Sequence, residues 1–136
     1  MLYRKFYDEL VKWYKQEKKL ALLIDGARQI GKTTLIRQFA KDYYGDNFVE
    51  INFINTPSAK EIFVGDLSVD GIISKLTLFL RRPLTPHKTL IFFDEVQECL
   101  EVRTAIKFLV DDGRFDYIES GSLPGINYKE IKSYAV

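Results

Sequence analysis

Eight consecutive residues, Gly26-Ala27-Arg28-Gln29-Ile30-Gly31-Lys32-Thr33, satisfy the spacing G-x-x-x-x-G-K-[ST] at every fixed position. At about 7% for each fixed residue type, a chance match in a chain this long is on the order of half a per cent. The residue types suit a polyphosphate. A loop of small residues lets backbone N–H groups converge on anionic oxygens. The positive end of a following helix adds to that field. Lys32 is a mobile point charge able to reach the outer phosphates. Thr33 offers a hydroxyl to Mg²⁺, a cation that keeps most of its waters and takes few protein ligands.

A cradle binds, whereas hydrolysis also needs a metal carboxylate and an oriented water. Leu90-Ile91-Phe92-Phe93-Asp94-Glu95 supplies both. Four apolar residues deliver two acids to the C-terminal end of a buried strand, where open α/β sheets hold their ligands. Asp94 is expected to hold the metal, mostly through water, and Glu95 to polarise the attacking water. Past the next strand, either Ser120 or Ser122 is placed to hydrogen-bond the terminal phosphate or the water. Asn52, at another strand end, either restrains Glu95 or closes a turn. Gln97 either helps to orient the site or sits in solvent. His87, between Pro86 and Lys88, has no ligand-like companions and is expected at the surface. Cys99 is expected to pack rather than react.

These residues need elements to position them. Leu2, Phe6, Leu10 and Trp13 fall at helical spacing, which predicts an amphipathic helix over residues 2–17 within an N-terminal segment 1–19. Its basic residues alternate with acids, so a covering helix fits better than a nucleic-acid surface. Leu20 to Asp25 reads as a strand buried on both faces. The glycine loop follows, with Thr34 either ending it or starting the next helix, which Gly45 stops. Strands are predicted at Phe48–Phe53, Leu90–Phe93 and Phe115–Glu119. Ser68 is positioned to cap a helix through Phe79, and Gly113 to end one through Leu109. The alternation predicts an α/β fold, a mostly parallel sheet with helices on both faces, in one domain over residues 1–136.

Composition bounds the function. The chain has 136 residues, 46% hydrophobic and 14% aromatic, enough for a packed core. Twenty basic and nineteen acidic side chains give a net charge of +1, which lends no support to a nucleic-acid partner. One cysteine excludes an intrachain disulfide and fits a reducing cytoplasm. No apolar run is long enough to span a bilayer.

With these pieces in place, the chain resembles the N-terminal ATPase domain of a bacterial and archaeal AAA+ superfamily protein. In that family the ATPase precedes a C-terminal domain of nuclease-like appearance. The stretches that carry the resemblance are GARQIGKTTLIRQF, IFFDEVQE and SGSLPGINYKEIKSY. The family pattern has leucine where Pro124 stands, and P-V-G where this chain reads Ala135-Val136.

The resemblance implies a three-layer P-loop NTPase sandwich with ATP, rather than GTP, and Mg²⁺ as ligands. Nucleotide contacts would run over Gly26, Ala27, Arg28, Gln29, Ile30, Gly31, Lys32, Thr33 and Thr34. Thr33 and Asp94 would hold the metal, Asp94 and Glu95 would form the Walker B pair, and Ser120 or Ser122 would occupy a polar sensor position. It also implies sheet order 5-1-4-3-2. On that order the chain is expected to lack its fifth strand, its lid and the C-terminal domain, all lying beyond Val136. A β1 edge left open in this way predicts self-association. The expected activity is Mg²⁺-dependent ATP hydrolysis that drives or gates an attached domain, slow or absent in the fragment alone. The alternatives are a nucleotide-dependent switch with little turnover, possibly associated with DNA, and a small-molecule phosphotransferase. Arg103 and Arg114 are available to neutralise transition-state charge, with nothing to assign either.

Overall fold

A computed structural model of the chain describes residues 2–25, 30–122 and 132–134. The helices are α1 (Leu2–Tyr14), α2 (Ile30–Tyr44), α3 (Val69–Leu80) and α4 (Glu101–Asp112). The strands are β1 (Leu22–Asp25), β2 (Phe48–Asn52), β3 (Leu90–Asp94), β4 (Asp116–Gly121) and β5 (Lys132–Tyr134). Two 3₁₀ segments, Pro57–Phe63 and Val96–Glu98, complete the described elements.

All strand pairs are parallel, in the order β2-β3-β4-β1-β5. Parallel strands require crossovers, and helices pack on both faces of the sheet. Side-chain alternation sorts the strands into two layers. Leu22, Ile24, Leu90, Phe92 and Ile118 join Phe6, Leu10, Trp13, Ile36 and Phe39 from α1 and α2. Leu23, Ile91, Phe93 and Tyr117 join Ile72, Leu76, Val102 and Ile106 from α3 and α4. A parallel sheet between two helix layers is the α/β arrangement that the alternating pattern predicts.

The helix ends follow local chemistry. Ser68 accepts a hydrogen bond from the Gly71 N–H at 3.1 Å, as its capping position predicts. Gly113 ends α4 with φ of 82°, a left-handed conformation that glycine adopts without a Cβ clash. The first helix closes at Tyr14, where its apolar spacing ends and short of the predicted residue 17. Beyond it the Trp13 indole N–H donates to the Leu20 carbonyl at 2.8 Å, tying α1 to the entry of β1.

One expectation is corrected. The resemblance puts the second neighbour of β1 beyond Val136, but residues Lys132–Tyr134 occupy that position, with Leu22, Leu23 and Ile24 paired to Lys132, Ser133 and Tyr134. The observed order, read from its other end, is 5-1-4-3-2 with the fifth strand inside the chain. The open β1 edge is therefore absent, and with it that argument for self-association. The cause is length: Lys-Ser-Tyr is too short to display an alternating pattern. Its role comes from the unpaired backbone groups of a β1 strand whose residues Leu22, Leu23 and Ile24 are fully buried.

Candidate functional site

Because the strands run parallel, their C-terminal ends gather at one edge of the sheet. Asn52, Asp94 and Ser120 pair in register across β2, β3 and β4, and Ser120 pairs with Ile24 of β1. Asp94 stands two residues after Phe92, and Ser120 two after Ile118, so both belong to the row facing the α1/α2 layer. A polar row thus replaces the apolar one where α2 begins. Gly26, Ala27, Arg28 and Gln29 lie outside the described residues. Ile30, Gly31, Lys32 and Thr33 form the first turn of α2, whose N–H groups lack intrahelical acceptors. Thr34 belongs to that helix and is exposed, which settles its assignment as helix rather than loop.

Lys32 is only 2% exposed, and its ammonium donates to the backbone carbonyl of Asp25. Burial lowers its pKa, against a smaller opposing pull from the Asp25 charge. Asp94 is 4% exposed. Burial pushes its carboxyl up to about 6, although the Glu95 N–H donates to its Oδ1 at 2.8 Å and opposes the shift. The charges of Glu95 and Glu50 add to the rise, and Arg37 works against it. Arg37 itself grips Glu50 through two bonds of 2.8 and 2.7 Å, fastening α2 to β2 beside the site. Among the described residues no ion pair joins Lys32 to Asp94.

Glu95, the first residue after β3, has a left-handed backbone conformation, φ 57° and ψ 46°, unusual for a residue with a side chain. Its Oε1 accepts from the Gln97 amide at 2.8 Å. Gln97 is therefore engaged with Glu95 rather than left in solvent. Asn52 does not touch Glu95 in this way. Its amide approaches Asp94 Oδ2 at 3.4 Å, and its Oδ1 accepts from the N–H groups of Ile54 and Asn55, so it closes the turn after β2.

The two serines separate. Ser120 is 1% exposed and stands beside Asp94 in the sheet, whereas Ser122 is exposed and its N–H donates to Gln97 Oε1 at 3.1 Å. Arg103 and Arg114 are both held in ion pairs, Arg103 with Glu119 at 2.9 Å and Arg114 with Asp70 at 2.7 Å and Asp112 at 2.9 Å. Glu119 is fully buried on the opposite face of β4, and burial pushes its carboxyl up to about 7. In the sequence it is an acid that directly follows the apolar pair Tyr117-Ile118. His87 is exposed, with its N–H donating to the Arg114 carbonyl. Cys99 is buried, which raises its thiol to about 11 and fits packing rather than reactivity.

The buried Asp94 carboxylate carries a testable cost. Its raised pKa means that the folded chain binds its proton more tightly than the unfolded chain does. The penalty is absent below about pH 4, grows as pH rises toward 6, and persists above that. An Asp94→Asn variant keeps an acceptor for the Glu95 N–H and removes the charge. It is expected to be more stable than the parent by about 1–2 kcal/mol near pH 7.5, allowing for solvent at the strand end, with no gain near pH 4. Urea unfolding at the two pH values measures the difference, and equal stability at both contradicts the desolvation account.

A family model described as an AAA domain matches residues 18–136. Among solved structures, the chain is similar to the ORC2 protein of Aeropyrum pernix, solved as ADPNP-ADP complexes, at 18% identity and a TM-score of 0.48, over 89% of this chain and 39% of that one. It is similar to PCH-2 of C. elegans at 15% identity and a TM-score of 0.47, over 97% of this chain and 39% of that one. The chain thus spans 39% of the length of each of these two. No curated protein matches it.

Proposed function

Given that this chain belongs to the AAA domain family, we propose that it binds ATP with Mg²⁺ at the C-terminal edge of its sheet and, in the intact protein, hydrolyses it to ADP and phosphate. The observation that carries the proposal is a buried lysine and a buried aspartate at one sheet edge, not paired with each other, where a helix begins. Two desolvated charges left apart are costly unless each meets a ligand of opposite sign. A phosphate chain and a divalent cation are that pair.

The residues divide the work. Lys32 and the first-turn N–H groups of α2 hold phosphate oxygens. The loop residues Gly26 to Gln29 belong to the same cradle by their sequence spacing. The Thr33 hydroxyl and the Asp94 carboxylate suit a hard, oxygen-seeking cation. When bound, Mg²⁺ neutralises charge on the phosphates and orients them. Cation binding also restores the Asp94 carboxylate that burial otherwise drives toward protonation. Glu95 accepts a proton from the attacking water as its oxygen bonds to the terminal phosphorus and the bond to ADP breaks. Of the two serines, buried Ser120 is the better placed to hydrogen-bond near the reacting phosphate, because it lies in the row of Asp94.

A second reading, a nucleotide-dependent switch with little turnover, is favoured by the ion pairs that occupy Arg103 and Arg114. Neither is free to stabilise transition-state charge without breaking a pair, so a neighbouring chain or an attached domain would supply that cation. Driving or gating such a domain is part of the proposal. A phosphotransferase is disfavoured by Glu95, an acid placed for water. The products separate these readings. Incubating the intact protein with γ-labelled ATP is expected to yield inorganic phosphate matching ADP one for one. Label appearing in a metabolite would overturn hydrolysis, and bound ATP that stays intact would favour the switch.

A further inference from the structure

The 3₁₀ turn Val96–Glu98 follows Glu95 directly, and its residues Val96 and Gln97 lie against Gly121 at the end of β4. Gln97 bridges the two. Its Nε2 donates to Glu95 Oε1 at 2.8 Å, and its Oε1 accepts from the Ser122 N–H at 3.1 Å. Only one orientation of the amide serves both partners, because a carboxylate can only accept and a backbone N–H can only donate. The seat is also closed to alternatives. A Cβ on Gly121 would lie 2.5 Å from Gln97 Oε1 and 3.0 Å from the Val96 nitrogen, so glycine at the end of β4 leaves room for the bridge. Val96 is fully buried and anchors the turn from below.

We infer that Gln97 is a positioning residue that fixes the Glu95 carboxylate relative to the end of β4, so that the acid placed for water and the strand carrying Ser120 move as one unit. This rests on Glu95 being the water-polarising group. Two features make the bridge more than turn packing. Glu95 sits in a left-handed backbone conformation, which aims its side chain differently from an extended continuation of β3. A flexible carboxylate on such a turn has several rotamers, and the amide selects one of them. Ser122, meanwhile, lies two residues beyond Ser120, so a shift of the β4 end that moves the serine also pulls on the amide. Misplacing a reacting group by about 1 Å can cost on the order of a hundredfold in rate.

A Gln97→Glu variant separates the two arms. It keeps volume and an acceptor for the Ser122 N–H, but it loses the donor and sets a second carboxylate against Glu95. Steady-state hydrolysis by the intact protein is expected to show kcat lowered about 10- to 100-fold, with KM for ATP within about threefold and an unchanged melting temperature. A role confined to holding the turn would lower the melting temperature and leave kcat per folded molecule intact. Turnover within about twofold of the parent in Q97E, beside a Glu95→Gln variant that is inactive, would overturn the inference alone. Full turnover in Glu95→Gln would overturn the reading of Glu95, and the inference with it. Should Q97E not fold, Gln97→Ala gives the same readout, with unchanged kcat again overturning the bridge.

Discussion

A Glu95→Gln variant of the intact protein is expected to bind ATP within about threefold of the parent while its hydrolysis falls about 100- to 10,000-fold, the usual range for losing a general base. The separation follows from the geometry. Glutamine is nearly isosteric, and its carbonyl oxygen can still accept the bond from Gln97 that Glu95 Oε1 now receives. Nothing that holds Lys32, Asp94 or the start of α2 depends on the Glu95 charge. The Glu95 N–H, which supports Asp94 Oδ1, is a backbone group and stays. Removing the negative charge also relieves one of the influences that raise the Asp94 carboxyl, so cation binding is not weakened by that route. Phosphate release beside an equilibrium nucleotide titration measures both quantities. Undiminished hydrolysis would move the proton acceptor elsewhere.

Much of this was legible in the sequence because phosphate and metal chemistry constrains residue types and not merely polarity. Lys32 follows a glycine at a fixed spacing, and Asp94-Glu95 ends a run of four buried apolar residues. The strand interiors were equally plain, since parallel strands covered on both faces read as continuous apolar runs. What escaped depends on tertiary partners. Lys132–Tyr134 is a strand only because β1 needs a second neighbour. Asn52 could restrain Glu95 or close a turn, and its contacts with Ile54, Asn55 and Asp94 appear only once β2 and β3 are in register. Gln97 had equal claims to the site and to solvent until the end of β4 was placed against it. The same placement distinguishes Ser120 from Ser122, which lie at equal advantage along the chain but differ in burial.

Lys32→Ala is expected to weaken Mg²⁺·ATP binding by more than about a hundredfold, the worth of roughly two charge-assisted hydrogen bonds. The ammonium is buried at the head of α2 with a backbone carbonyl as its described partner, so it is held in place before any ligand arrives. Burial also depresses its pKa, and an adjacent polyanion would oppose that shift. The alanine variant leaves a cavity where the aliphatic stem packed. Lys32→Met keeps the stem and removes only the charge, and it should lose binding to the same extent. Calorimetric titration of the parent, Lys32→Ala and Lys32→Met with ATP in excess Mg²⁺ tests the account most directly. The account predicts saturable binding near one site per chain for the parent, with no measurable heat for either folded variant. Equal affinity in all three proteins would contradict it.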